Sequence, residues 1–240
     1  MKIAFVVPNV GMNPEALDQR RAFLQSHARP DTEILGFRND DGPAAIESET
    51  ERDWASVEIA RHIARLSQRG DIDAFIPWCA GDPGMIAGRE AVCVPVVGPM
   101  QAAAHYASTL GFRFSWIIPQ GNPRLNRLRV EGYGLGGQLA SVLELGTPVL
   151  ELRNDLPATR AKIAELVALA AERDGADAVV LGCMALFGVA GTLDAPRPVI
   201  DPTLAALNMA QSLVAMGLTH APETYGGTSG PVAEPIPEKV

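Results

Sequence analysis

The chain has 240 residues, enough for one large domain or two modest ones with a sizeable core, which sets aside small disulfide-stapled scaffolds. Twenty Lys and Arg stand against 28 Asp and Glu, a formal net charge of −8, and 47% of residues are hydrophobic, the composition of an ordered globular protein. The acidic balance and 5% aromatic content argue against a nucleic-acid partner, whose phosphates need a basic surface.

In chain order, Lys2 to Val7 predicts a first strand. Its apolar run is too short for the hydrophobic region of a secretory signal, so a cytoplasmic location is the default expectation. Asn13 before Pro14 predicts an N-cap and first helical residue for a helix over 14–28, and Glu33 to Phe37 a second strand. Val57, Ala60 and Ala64 mark the buried stripe of a helix that stops at Gly70, and Ala74 to Trp78 predicts a strand running into Cys79. Asp82 and Pro83 look like an N-cap and first residue of the next helix. Val94 to Val97 predicts a strand, followed by an alanine-rich helix over 99–110.

A second series follows: strand Phe114 to Ile118, helix 123–131 behind Asn122-Pro123, strand Pro148 to Leu152, and a helix with Ile163, Leu166, Val167 and Ala170 on one face, closed by Gly175. Strands Ala178 to Gly182 and Pro198 to Ile200 and a helix ending at Gly217 complete it. From His220 onward the chain is rich in Gly, Pro, Thr and Glu without an apolar period, and reads as an extended arm or loose end. No stretch has the ~20 apolar residues of a membrane span. Strands alternating with helices predict the α/β class and parallel sheets.

The chain also says nearly the same thing twice. Lys2 to Asn9 parallels Arg113 to Gln120, Asp73 to Cys79 parallels Asp177 to Cys183, and Pro95 to Pro99 parallels Pro198 to Pro202. The expectation is two pseudo-symmetric domains, each a four-stranded parallel sheet flanked by helices, with the active site in the cleft between them. The boundaries are 1–98 plus about 202–225 for the first, 99–201 for the second, and 226–240 for a C-terminal tail.

In open parallel sheets, ligands bind beyond the carboxyl ends of the strands, beside helix N-termini. Cys79 and Cys183 both fall at such ends, where a helix N-terminus would lower a thiol's pKa and make it a usable base. Two such thiols flanking one carbon acid form a proton relay: one removes a proton from one face and the other supplies one to the opposite face. Cys93 has no counterpart in the second half and reads as a buried small hydrophobe. Three cysteines without a CxxC pair, and histidines 27, 62, 105 and 220 without ligand spacing, give no expectation of a disulfide or a metal site. No P-loop and no GxSxG elbow is present, so neither a nucleotide cofactor nor a serine-hydrolase site is expected.

Over nearly its whole length the chain resembles the aspartate/glutamate/hydantoin racemase superfamily, and most of all its hydantoin and allantoin racemase branch. The resemblance rests on Val7-Pro8-Asn9, the segment Gly42 to Ser48, Cys79 to Gly84 with Arg89 to Ala91, and Val94 to Gly98. It continues through Ala102 to His105, Leu110 to Ser115, Tyr133 to Leu135, Asp174 to Cys183 and Pro198 to Asp201. It implies a cofactor-independent racemase with Cys79 and Cys183 as alternate acid and base, and oligomers are usual among relatives. The substrate contacts it implies are Asn9, Ile46, Pro119 and Gln120, with backbone N–H groups of Ala80, Gly81, Met184 and Ala185 holding carbonyl oxygens.

Branch members usually carry hydroxyl residues where this chain has Val10 and Pro119, phenylalanine at Ala80, and Ala-Gly at Met184-Ala185. The Asn-Thr and Thr-His pairs with which amino acid racemases grip charged groups are missing, so an uncharged or cyclic amide, a 5-substituted hydantoin or allantoin-like ring, is the expected small-molecule substrate. The same scaffold also fits a maleate-type cis–trans isomerase, an aspartate or glutamate racemase, or a non-catalytic small-molecule binder; arylmalonate-type decarboxylation resembles a one-cysteine version of the site, and the presence of both thiols argues against it.

Overall fold

The computed structural model describes residues 1–226, so the tail expected over 226–240 lies outside the described residues apart from Gly226. In the first lobe the apolar runs become β1 (Lys2–Val7), β2 (Glu33–Arg38) and β3 (Ala74–Pro77), joined by helices α1 (Pro14–His27) and α2 (Glu49–Ser67) and followed by α3 (Met85–Ala91) and α4 (Pro99–Leu110). These strands form a parallel sheet in the order β2-β1-β3, with Ile3 opposite Ala74 and Phe5 opposite Ile76. The second lobe repeats the plan with β4 (Phe114–Ile118), α5 (Pro123–Gly132), β5 (Leu139–Glu144), α6 (Leu156–Glu172), β6 (Ala178–Leu181) and β7 (Val199–Ile200), in the parallel order β5-β4-β6-β7. The chain ends in α7 (Pro202–Ala215) and the one-turn α8 (Pro222–Tyr225).

The helix starts follow from capping. Asn13 and Asn122 accept hydrogen bonds from first-turn amides ahead of Pro14 and Pro123, and Ser48 and Glu51 form a reciprocal capping box at α2. Central strands β1 and β4 are buried almost throughout, as expected where helices cover both faces of a parallel sheet.

The largest core cluster runs through both lobes and takes in Phe5, Trp78, Phe114, Trp116 and the alanines of α4. Each such aromatic contributes about 2–3 kcal/mol by leaving water. Small side chains at Ala102, Ala103 and Ala107 let α4 lie against α7 and the β6–β7 edge at once. Helix α7 reaches back to β3 and α1, where the Gln211 amide oxygen accepts from the Arg29 N–H at 2.7 Å and the Thr32 hydroxyl at 3.1 Å.

Four expectations are corrected. The strand expected over 94–97 shrinks to one bridge, Val96 to Phe75, because Pro95 has no N–H to give a ladder and the chain bends at Cys93 and Val94. That bend leaves Cys93 exposed rather than buried. The strand expected over 148–152 is a 3-10 turn at Val149–Glu151; the edge strand is β5, whose ladder is continued by Leu145 N–H donating to Ile118 O before Pro148 stops it. The arm expected from His220 is held as far as Tyr225: Val96 N–H donates to His220 Nε2 at 2.8 Å, Thr219 donates to Cys93 O, and Arg89 donates to the Tyr225 hydroxyl. Among the described residues, no helix is long and apolar enough to cross a membrane.

Candidate active site

Strands β1, β3, β4 and β6 all end at one cavity of about 740 Å³, lined by residues of both lobes. Every residue singled out from the sequence lies on its wall: Asn9, Ile46, Cys79, Ala80 and Gly81 from the first lobe, Pro119, Gln120, Cys183, Met184 and Ala185 from the second. Cys79 follows the last residues of β3 and Cys183 follows β6 with Gly182 between, so equivalent positions in the two sheets set both thiols beside the same space. Gly182 is required there, because a Cβ would meet the Ile117 carbonyl at 2.7 Å and crowd the Trp116 ring.

The thiols differ from expectation in their acidity. Desolvation pushes Cys79 up to about 11 and Cys183 up to about 12, each offset in part by one backbone N–H, from Gly81 and Ala185 respectively. A Cys79 thiolate would raise Cys183 further, so the two groups are within electrostatic reach of each other. The expected helix-terminus effect is weak for a structural reason. Cys183 leads into only a three-residue 3-10 turn, and α3 begins at Met85 behind Gly84, not at Asp82-Pro83. A single turn sums few peptide dipoles.

Asp82 has another task. With φ at +50° it turns its carboxylate away from α3 to the start of α4, accepting from Met100 N–H at 2.8 Å, Gln101 N–H at 2.9 Å and the Tyr133 hydroxyl at 2.8 Å. Burial raises its pKa, and these donors pull it down.

The wall is more charged than the sequence suggested. Arg20, Arg52, Arg129 and Arg153 line it with Glu47 and Glu49. Glu49 pairs with Arg52 and Arg129, and Arg52 donates to Gly81 O at 3.1 Å. Glu47 spans the lobes, its two oxygens accepting from Val149 N–H at 2.7 Å and Gln120 Nε2 at 2.9 Å. Asn9 Nδ2 donates to Ala44 O at 3.2 Å, so both polar side chains expected to face a ligand are also tied to the 39–48 loop. Sequence reasoning missed Glu47 and the arginines because they come from helix faces and loops whose patterns carry no mark of convergence. Among the described residues, no group of three His, Cys, Asp or Glu side chains is placed to hold a metal.

Comparison with known proteins bears on this arrangement. The model of the Asp/Glu/Hydantoin racemase family matches residues 12–210. A hydantoin racemase of Paenarthrobacter aurescens is 32% identical over 222 residues, covering 90% of this chain and 92% of that protein. One from Rhizobium meliloti is also 32% identical, covering 94% of each. The structure of an allantoin racemase from Klebsiella pneumoniae superposes over 100% of this chain and 95% of that one, with a TM-score of 0.84 and 30% identity.

Proposed function

The chain belongs to the Asp/Glu/hydantoin racemase family and is an isomerase of the racemase class; from that premise we propose that Cys79 and Cys183 invert a carbon next to a carbonyl in a 5-substituted hydantoin or an allantoin-like ring. The observation that carries this reading is the opening of both thiols, from equivalent strand ends, on one cavity.

One cysteine, as thiolate, takes the proton of the ring carbon. The electron pair moves onto the adjacent carbonyl oxygen, giving a planar enolate. The opposite thiol then delivers its own proton to the other face, so the first cysteine ends as thiol and the second as thiolate. Burial scarcely changes the neutral thiol but raises the basicity of the thiolate, which narrows the gap to a weak carbon acid. The amides of Gly81 and Ala185 face the sulfurs. That leaves the amides of Ala80 and Met184 for the enolate oxygen, where each contributes about 3 kcal/mol to lowering the barrier. The domains that present one base each are taken as 1–98 with 202–225 and 99–201, the two repeats exchanging α4 and α7, which pack on β6 and β3 respectively.

The test is incubation of single-enantiomer hydantoins in D₂O, followed by NMR and polarimetry. Loss of optical rotation with α-deuterium incorporation and an intact ring is expected. Cys79→Ser and Cys183→Ser each abolish inversion, while each retains at most exchange from one enantiomer. Full inversion by either variant overturns the two-thiol relay.

A further inference from the structure

The cavity holds four guanidinium groups and two carboxylates in a protein whose formal charge is −8. Two of the arginines are accounted for: Arg52 and Arg129 pair with Glu49. The other two are not. Neither Arg20 nor Arg153 belongs to any ion pair among the described residues, although α1 brings the first and the segment after the Val149–Glu151 turn brings the second to the same end of the cavity.

Both are held in place without being neutralised. Their guanidinium carbons lie 5.4 Å and 4.2 Å from the centroid of the Phe187 ring. Arg20 donates to Ala16 O at 2.7 Å, and Arg153 to Ala185 O at 3.0 Å. Arg20 Nε is buried and lacks a hydrogen-bond partner among the described residues. The two cations repel each other, and burial and that repulsion together lower the pKa of Arg20. Two like charges held over one ring, one with an unused donor, are a costly arrangement that an incoming anion would relieve. Arg153 is bonded to the carbonyl two residues beyond Cys183, and Arg20 is close enough to favour the Cys183 thiolate, so the anion would lie beside the reacting carbon.

We propose that Arg20 and Arg153 form an anion subsite beside Cys183, so that the preferred substrate is a cyclic amide whose substituent at the inverted carbon ends in a carboxylate. The substrate class rests on the racemase reading above; the subsite itself does not. Guanidinium groups recognise carboxylates through paired, charge-assisted hydrogen bonds that a carboxamide cannot match.

The experiment compares 5-(carboxymethyl)hydantoin with its neutral isostere 5-(carbamoylmethyl)hydantoin, by calorimetric binding and by α-deuterium exchange. The acid is expected to exceed the amide by about 10- to 100-fold in affinity or kcat/KM. In Arg20→Met, Arg153→Met and the double variant this ratio falls towards one. The ratio, unlike either rate, is insensitive to a general loss of activity, and Arg153 is exposed, so R153M carries the test if Arg20→Met fails to fold. An acid that binds and reacts no better than the amide, or a ratio that survives in the variants, overturns the subsite. Tighter binding of the acid without exchange of any ring leaves the subsite standing and removes the two-thiol reading. Exchange of neutral rings without preference for the acid does the reverse.

Discussion

The carboxylate of Asp82 occupies the space that a side chain on Gly98 would fill: a Cβ at Gly98 would collide with the Asp82 carboxylate and with Met85 Sδ. Gly98 is the N-cap of α4 and has no side chain to bond the free amides, so Asp82 supplies the cap from sixteen residues upstream. In the second repeat the equivalent helix α7 is capped conventionally, Asp201 accepting from Thr203 N–H at 2.8 Å and from Gly188 N–H at 2.8 Å. The two repeats keep the cap and differ in where its accepting carboxylate comes from.

Asp82→Ala therefore leaves two buried amides and the Tyr133 hydroxyl unpaired, a loss of about 2–4 kcal/mol. Gly98→Asp alone also destabilises, by collision. Combined, the second change fills the space vacated by the first and restores part of the loss. Urea unfolding of the three variants checks this; a double variant no more stable than Asp82→Ala would remove the substitute-cap explanation.

Glu47 ties the loop before α2 to the second lobe through Val149 and Gln120. Truncation in Glu47→Ala unties both, so the cavity loses a wall and KM for a hydantoin rises about tenfold, the loss of one or two charge-assisted bonds. Glu47→Gln keeps one acceptor oxygen and falls between. Kinetics that leave KM unmoved in Glu47→Ala would show that the loop stays closed without this bond.

The repeat, the α/β class and the starts of α1, α4, α5 and α7 were legible because each rests on local chemistry: apolar runs in Ile3–Val7 and Phe114–Ile118, and Asn-Pro caps at 13–14 and 122–123. The two strand ends that carry Cys79 and Cys183 were legible for the same reason. Where expectation failed, a distant partner decided. Asp82 has the local form of an N-cap, yet Gly98 and Tyr133 draw it to another helix. The segment 148–152 has the composition of a strand, yet the Val149 amide bonds to Glu47 instead of a ladder. Thiol acidity was misjudged because burial by residues far apart in sequence outweighs a short turn's dipole.

The raised thiols set the alkaline behaviour. Only the thiolate is a base, so kcat/KM for exchange climbs with pH from 7 to 10 without a plateau, since Cys79 is pushed up to about 11 and Cys183 up to about 12. Stability moves the other way. The unfolded chain releases these protons near the ordinary thiol value, so the stabilisation is complete below that value and lost as pH rises toward 11 and beyond. In Cys79→Ser/Cys183→Ser this alkaline loss is reduced. A rate plateau near pH 8 would mean that the thiols ionise as ordinary ones.

Two histidines set the acid limit. His62 is buried with Nδ1 3.1 Å from Asn39 Oδ1, so the ring donates there, and Asn39 in turn donates to Pro8 O on the cavity side of β1. Burial first, and then Arg65, lower His62 to about 4, against a smaller upward pull from Asp40. His220 is lowered to about 4 by burial first and then by Arg89, and it must stay unprotonated at Nε2 to accept from the Val96 amide. Both rings are neutral in the fold while the unfolded chain takes up protons from about pH 6.5. Their contribution is thus full above pH 6.5 and is lost as pH falls toward 4, at about 1 kcal/mol per pH unit for His62. His62→Gln can keep the bond to Asn39 and His220→Gln the bond from Val96, without titrating. Urea midpoints measured between pH 7 and 4 should fall less steeply in each variant, and the protection of the Val96 amide against exchange, relative to its intrinsic rate at each pH, should fall below pH 5 in the parent and not in His220→Gln. Parallel midpoint curves for parent and variants would show that other groups govern acid unfolding.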